Sequence, residues 1–204
     1  MLTHVHYRSQ KFIIDLSKPL DISIPMKASI NNVNAWYLKE PIIKPVVIDN
    51  QIYTVAAGAS INFNNIKFNP HAHGTHTECV GHITKEKYSI NKCLKQFFFL
   101  AEVITVAPEN YKQDFIISKK QLQFALGNKK REALIVRTIP NTKDKLSKQY
   151  SNTNWPYFDR EAMTYLVRKG IKHLLIDLPS IDKENDCGEL VGHHVFWNTN
   201  GVLR

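Results

Sequence analysis

The sequence predicts a single α/β domain with a mixed, largely central β-sheet flanked by helices. Three observations carry this. Residues 97–177 alternate strand-forming apolar runs with segments of helical period, in the order strand–helix–strand–helix–strand. That order implies parallel pairing through right-handed crossovers. Residues before 70 hold short apolar runs separated by Asn, Asp, Pro and Gly, which read as strands and turns. A chain of 204 residues, 43% apolar and 22% charged, is long enough for one core and ordinary for a globular protein.

The elements follow in order. His4 and His6 fall in a loose terminus. Phe12-Ile-Ile-Asp-Leu-Ser is a strand that ends at Lys18-Pro19. Trp36 and Tyr37 sit in a polar loop, where an aromatic packs on the surface or lines a pocket. Ile42-Ile43, Pro45–Ile48 and Asn50–Val55 are short strands, with Asp49-Asn50 as a hairpin turn. Ile61 and Phe63, then Ile66 and Phe68, alternate around Asn64-Asn65, which reads as a second turn. Phe97–Val106 is a continuous apolar run, expected as a strand buried on both faces and ended by Pro108. Ser118-Lys-Lys-Gln121 is a capping box. It opens a helix with Leu122, Ala125 and Leu126 on one face and Gly127 as its stop. Ala133–Val136 is the next strand, and residues 140–156 are a long polar loop. Asp159 caps a helix through Arg168, and His173–Asp177 is the last strand. Ligand sites in open α/β folds gather beyond such carboxyl ends.

Charge and composition narrow the function. The formal net charge is +9, but the lysines are spread along the chain. Lys129-Lys130-Arg131 and the Lys143, Lys145, Lys148 group are short clusters beside turns. Solvated loops are expected, not a phosphate-tracking stripe, so no nucleic-acid partner is predicted. No apolar run is long enough for a transmembrane helix, and the N-terminus lacks a signal-peptide core, so no membrane partner is predicted. Cys79, Cys93 and Cys187 form no CxxC and no disulfide framework, which suits a cytoplasmic home. Cys79 is expected as a small buried residue.

The chemistry concentrates in Asn69-Pro-His-Ala-His-Gly-Thr-His-Thr-Glu-Cys-Val-Gly-His82. This stretch holds four of the nine histidines, His71, His73, His76 and His82, with Glu78 among them. Imidazole and carboxylate are the usual ligands of zinc and related divalent ions. In an extended strand, residues 71 and 73 would face away from 72 and 76. Pro70 and Gly74 favour an irregular turn instead.

Gly74-Thr75-His76-x-Glu78-x-x-x-His82 resembles the signature of the cyclase family, which includes the bacterial kynurenine formamidases. That signature reads His-x-Gly-Thr-His-x-Asp-x-Pro-x-His. Here Ala72 stands in place of the first histidine, Glu78 in place of the aspartate and Val80 in place of the proline. Asp15-Leu-Ser17-x-Pro19-Leu20 resembles the family's opening. Asp177-x-x-Ser180-x-Asp182, followed by His193-His194, resembles its second site segment.

The resemblance implies a cyclase-like β/α/β fold and a metal-dependent amide hydrolase. The substrate would be a small-molecule amide, an arylformamide such as formylkynurenine or a cyclic amide. The cofactor would be a divalent metal, zinc first and manganese second. His71, His76 and Glu78 would hold the metal, with His71 preferred over His73 as the replacement for the ligand absent at Ala72. His82 would serve a second metal or orient the water. His193 or its neighbour His194 would be the acid–base group, with His193 preferred. A homo-oligomer, in the simplest case a homodimer, is also implied. The family's final glutamate has no counterpart before Arg204, so a C-terminus cut short within a strand is expected. The competing reading is a binding protein of the same fold that has lost catalysis. The two are separated by whether a histidine reaches the place of Ala72.

Overall fold

Chain alternation and turn chemistry build the first half as hairpins. The computed structural model describes residues 1–201 and 203. Strands β1 (Leu2–Tyr7) and β2 (Gln10–Asp15) pair antiparallel around Arg8, whose φ is 55°. His4 and His6 therefore lie in a strand, not in a loose terminus. Strands β3 (Ile42–Pro45), β4 (Val47–Ile48), β5 (Gln51–Ile52) and β6 (Asn64–Lys67) follow. Asp49 and Asn50 turn β4 into β5 with φ of 49° and 66°, the left-handed pair that a tight hairpin needs. Asn64-Asn65 is not a turn. It opens β6, because pairing with β3 sets Ile43 opposite Ile66 and draws the two asparagines into the ladder.

Next come two short helical turns, α1 (Pro70–His73) and α2 (Ile90–Cys93). The second half is then built from β7 (Ala101–Val106), β8 (Glu109–Tyr111), β9 (Asp114–Ile117), α3 (Lys119–Leu126), β10 (Ala133–Thr138), β11 (Tyr157–Phe158), α4 (Arg160–Lys169), β12 (His173–Ile176) and α5 (Val191–Trp197). The mixed α/β class is as expected, with its strands distributed over several small sheets. The parallel sheet has the order β12-β10-β7, and Val136 pairs with both Ile104 and Ile176. A second sheet, β11-β9-β8, was not legible in the sequence.

The helix signals form as read. Ser118 accepts from Gln121 N–H while the Gln121 side chain accepts from Ser118 N–H. Asp159 accepts from Ala162 N–H at the start of α4, and Gly170 ends it with φ 84°. The apolar stripes of both helices cover one face of the parallel sheet. Ile104, Val106, Leu134 and Val136 meet Leu122, Leu126, Met163 and Leu166 there.

The run from Phe97 differs from expectation in two ways. The strand begins at Ala101, because β10 offers its first partner, Ala133, only there. The strand is also buried on one face alone, with Val103 61% exposed on the other.

A smaller cluster carries the histidine turn. Val33, Ala35, Tyr150 and Trp155 pack with Ile24 and Trp36. Buried Asn32 donates to the carbonyls of Val33 and His73, and Ala35 N–H donates to the Ala72 carbonyl at 3.1 Å. Among the described residues no helix is long and apolar enough to cross a membrane.

Burial predicts where truncation hurts. Leu166→Ala removes a fully buried side chain and should cost about 2–5 kcal/mol in urea unfolding. Phe124→Ala, at a side chain 93% exposed on α3, should stay within about 0.5 kcal/mol of wild type.

Candidate metal centre and active site

The histidine segment folds as a helical turn because its ends are capped. Asn69 accepts from His71 N–H at 2.9 Å, and Pro70 fits the first helical position. The turn sends its side chains different ways. Ala72 and His73 are buried. The His73 Nδ1 accepts from Asn69 N–H at 2.8 Å, and its Nε2–H donates to the Lys39 carbonyl at 2.9 Å. Both ring nitrogens are thus committed to backbone, and His73 is a structural residue. His71 points the other way, with Nδ1 3.2 Å from Glu78 Oε2.

Two further histidines come from the segment after the turn. Thr75 Oγ1 accepts from Ile24 N–H and ties the segment to the N-terminal loop. His76 Nδ1–H donates to the Gly74 carbonyl, which leaves Nε2 at 3.7 Å from Glu78 Oε2. His82 ends the short turn Val80–His82, with Nε2 3.8 Å from the same oxygen. Gly81 makes this approach possible. A Cβ there would lie 2.2 Å from the Tyr88 carbonyl oxygen. Cys79 is only partly buried, and its Sγ–H donates to that same carbonyl at 3.4 Å, so the thiol faces away from the carboxylate group.

The second half of the site arrives on α5. Asp182, in the loop beyond β12, sits at the N-terminus of α5. Its carboxylate accepts from Gly192 N–H at 2.5 Å and His193 N–H at 3.2 Å, satisfying donors that a helix start leaves free. Gly192 is required by this contact, since a Cβ would lie 2.8 Å from Asp182 Oδ1. The same carboxylate accepts from His193 Nδ1–H at 2.5 Å. The opposite ring nitrogen, Nε2, donates to Glu78 Oε1 at 3.0 Å. His193 therefore bridges two carboxylates from distant parts of the chain. His194 turns away, with Nδ1 2.5 Å from Thr199 Oγ1.

The electrostatics follow from this crowding. Burial pushes the Glu78 carboxyl up, but hydrogen bonds from His193, His71 and His76 outweigh it and hold Glu78 well below the usual carboxylate range. Burial likewise pulls His193 down. Asp182 and Glu78 outweigh it and push His193 up to about 9. His76 is raised by its contact with Glu78, whereas burial lowers His82 and keeps its ring neutral.

The donor set fits a divalent ion of the zinc class. His71, Glu78 and His82 each offer one ligand atom within 4.8 Å of the others. Two imidazoles and one carboxylate, partly exposed to solvent, match the three-ligand pattern of catalytic sites that keep a position free. His76 borders this group and does not complete it. The structure thus brings together His71, His76, Glu78, His82 and His193 and leaves out His73 and His194. A histidine reaches the carboxylate even though Ala72 itself is buried.

Of the second segment, Ser180 Oγ accepts from Asp182 N–H. Asp177 instead accepts from Thr138 and Lys145. The role of Asp182 as partner of His193 had only a motif match to signal it. Trp155, whose indole N–H donates to the Asp182 carbonyl, and Trp197, tilted against His193 with ring centroids 5.3 Å apart, had no sequence signal. The expected strand through Gly201-Val-Leu-Arg204 falls partly on Val202 and Arg204, which lie outside the described residues. The chain before it is helical to Trp197.

The two kinds of histidine should separate on substitution. His73→Ala breaks two partly buried hydrogen bonds and should lower stability by about 1–3 kcal/mol in urea unfolding. His71→Ala should leave stability nearly unchanged and weaken binding of Zn²⁺ in calorimetric titration.

No curated protein matches the chain. The family model described as "Putative cyclase" matches residues 14–183. The match takes in the end of β2, the whole histidine segment and Asp182, and it stops short of His193. With most of its length under that model, and with the Gly74-Thr75-His76 segment at the centre of the site, the chain belongs to the cyclase family.

Proposed function

We propose that the chain is a metal-dependent hydrolase that cleaves the C–N bond of a small-molecule amide, either an arylformamide or a cyclic amide. The observation that carries the reading is the shared carboxylate. Glu78 meets His71, His76 and His82 through one oxygen and His193 through the other. A divalent ion held by His71, Glu78 and His82, with zinc preferred over manganese, would supply a Lewis acid for the carbonyl and an activated water at neutral pH.

The chain's own residues supply proton handling and orientation. Asp182 fixes the His193 ring through Nδ1 and favours its protonated form. His193 Nε2–H is then the proton that faces the reacting side, placed to pass to a leaving amide nitrogen. Without such a donor the amine would depart as an unstable anion. His76 is held by the Gly74 carbonyl, so its Nε2 stays directed at the cluster and can orient the amide or the attacking water. His82 remains neutral because burial disfavours its charge, which suits a ligand.

Bound metal and hydrolysis of an arylformamide, measured on the same preparation, test the proposal. Wild type should hold about one Zn²⁺ per chain and hydrolyse the amide. His193→Ala should keep the metal and lose hydrolysis by roughly 10²–10⁴-fold, the usual contribution of a positioned acid–base group. Equal turnover by the two proteins would remove His193 from the mechanism. Metal-loaded wild type inert on both substrate classes would remove the hydrolase reading.

Acid gives a separate check. Ligand imidazoles must be neutral, and burial lowers His82, so Zn²⁺ affinity should hold at neutral pH and fall in acid as protons compete for the rings. An affinity unchanged down to about pH 5 would contradict histidine ligation.

A further inference from the structure

Two thiols meet behind the metal centre. Cys79 follows Glu78 directly, and its Sγ–H donates to the Tyr88 carbonyl at 3.4 Å. The segment lies close on Tyr88, since a Cβ at Gly81 would stand 3.1 Å from the Tyr88 Cβ. Tyr88 precedes Ser89, the N-cap of α2. Cys93 closes α2, with its N–H donating to the Ser89 carbonyl at 2.9 Å. Side chains on a helix tilt toward its N-terminus, so the Cys93 side chain returns toward the peptide on which Cys79 rests. There the two thiols share a hydrogen bond.

The surroundings narrow what the pair does. Cys93 is exposed and Cys79 partly buried, so Cys93 is not a core filler. The Cys79 thiol points to the Tyr88 carbonyl and away from Glu78, which removes it from the ligand group. Slight desolvation, and then the contact with Cys79, push the Cys93 thiol up from its ordinary value, which disfavours a catalytic nucleophile. Two neighbouring thiols, one of them open to solvent, are what a disulfide needs.

We propose that Cys79 and Cys93 are a reversible dithiol–disulfide pair whose oxidant is a small anionic disulfide of the glutathione class. Exposure sets the order of attack. Cys93, as its thiolate, attacks one sulfur of the oxidant. The oxidant's S–S bond breaks, a mixed disulfide forms and one small thiolate leaves. Cys79, as its thiolate, then attacks the Cys93 sulfur, closes the protein disulfide and releases the second small thiolate. Two electrons pass from the protein to the oxidant, and the two thiol protons end on the released thiolates. Charge selects the oxidant. Lys85, Lys87, Lys92 and Lys95 are exposed around Cys93, and within residues 85–95 only Glu86 opposes them. Closure would fasten the segment that carries Glu78 and His82 to α2. Neither thiol belongs to the histidine cluster, so the inference stands whether or not the chain hydrolyses amides.

Glutathione redox buffers test the pair on the whole chain. After equilibration, acid quenching and alkylation, peptide mapping should find Cys79 joined to Cys93, with the link reversed by dithiothreitol. Cys187, in the turn before α5, should stay out of it. Cys79→Ser should stop the sequence at the mixed disulfide and leave one glutathione on Cys93. The folded chain should also hold the disulfide more tightly than the urea-unfolded chain, by about tenfold in equilibrium constant, or about 30 mV for this two-electron couple. No link, a link through Cys187, or equal stability in the folded and unfolded chains would overturn the proposal.

The choice of oxidant has its own check. At low salt, glutathione disulfide should oxidise the pair faster than neutral hydroxyethyl disulfide does. An equal or slower rate would show that the lysines select nothing and would overturn the anionic class.

Discussion

One ionised carboxylate, Glu78, is the constraint from which the site follows. It is partly buried, and a buried charge is tolerated only with compensating donors. Here the donors are imidazoles that arrive from a helical turn, a loop, a short turn and the helix α5. The arrangement is costly as a bare structure, because several rings compete for the same negative charge. It is coherent if a cation shares the space. That is the physical reason to read the group as a metal centre and not as a stabilising salt-bridge network.

The fold separates the two duties of such a site. The second half provides rigidity. The packed face of β7, β10 and β12 fixes the loop that carries Asp182, and Asp182 in turn fixes α5 and the His193 ring. The first half provides the histidine cluster and Glu78. The turn α1 is held by Asn32, Asn69 and the Ala35–Ala72 backbone contact, and His73 is spent as a structural pin for the same turn. Trp155 joins the halves, since it packs in the smaller cluster and donates to the Asp182 carbonyl. Displacing either half would move Glu78 and His193 apart.

Much of this was legible because the signals were local. The Ser118 capping box, the Asp159 cap, the Asp49-Asn50 turn and the periodicity of the two core helices depend on neighbours within a few residues. The histidine cluster was legible for the same reason, with its ligands inside one short stretch. What failed was set by distant partners. Asn64-Asn65 has turn chemistry but is drawn into a ladder by β3. Phe97 and Phe98 have strand chemistry but meet no neighbouring strand. The choice between His71 and His73 depended on whether the segment was helical or extended, and its spacing alone fitted both. The helix at His193 was hidden because its cap, Asp182, lies ten residues upstream, beyond the reach of any capping pattern.

The central claim is that Glu78, His71 and His82 surround one cation. Anomalous diffraction at the zinc edge, from crystals grown with Zn²⁺, tests it most directly. The account predicts one dominant peak about 2.0–2.2 Å from a Glu78 oxygen and from a ring nitrogen of each of the two histidines. A dominant peak elsewhere in the molecule, or none at Glu78 in zinc-saturated crystals, would contradict it.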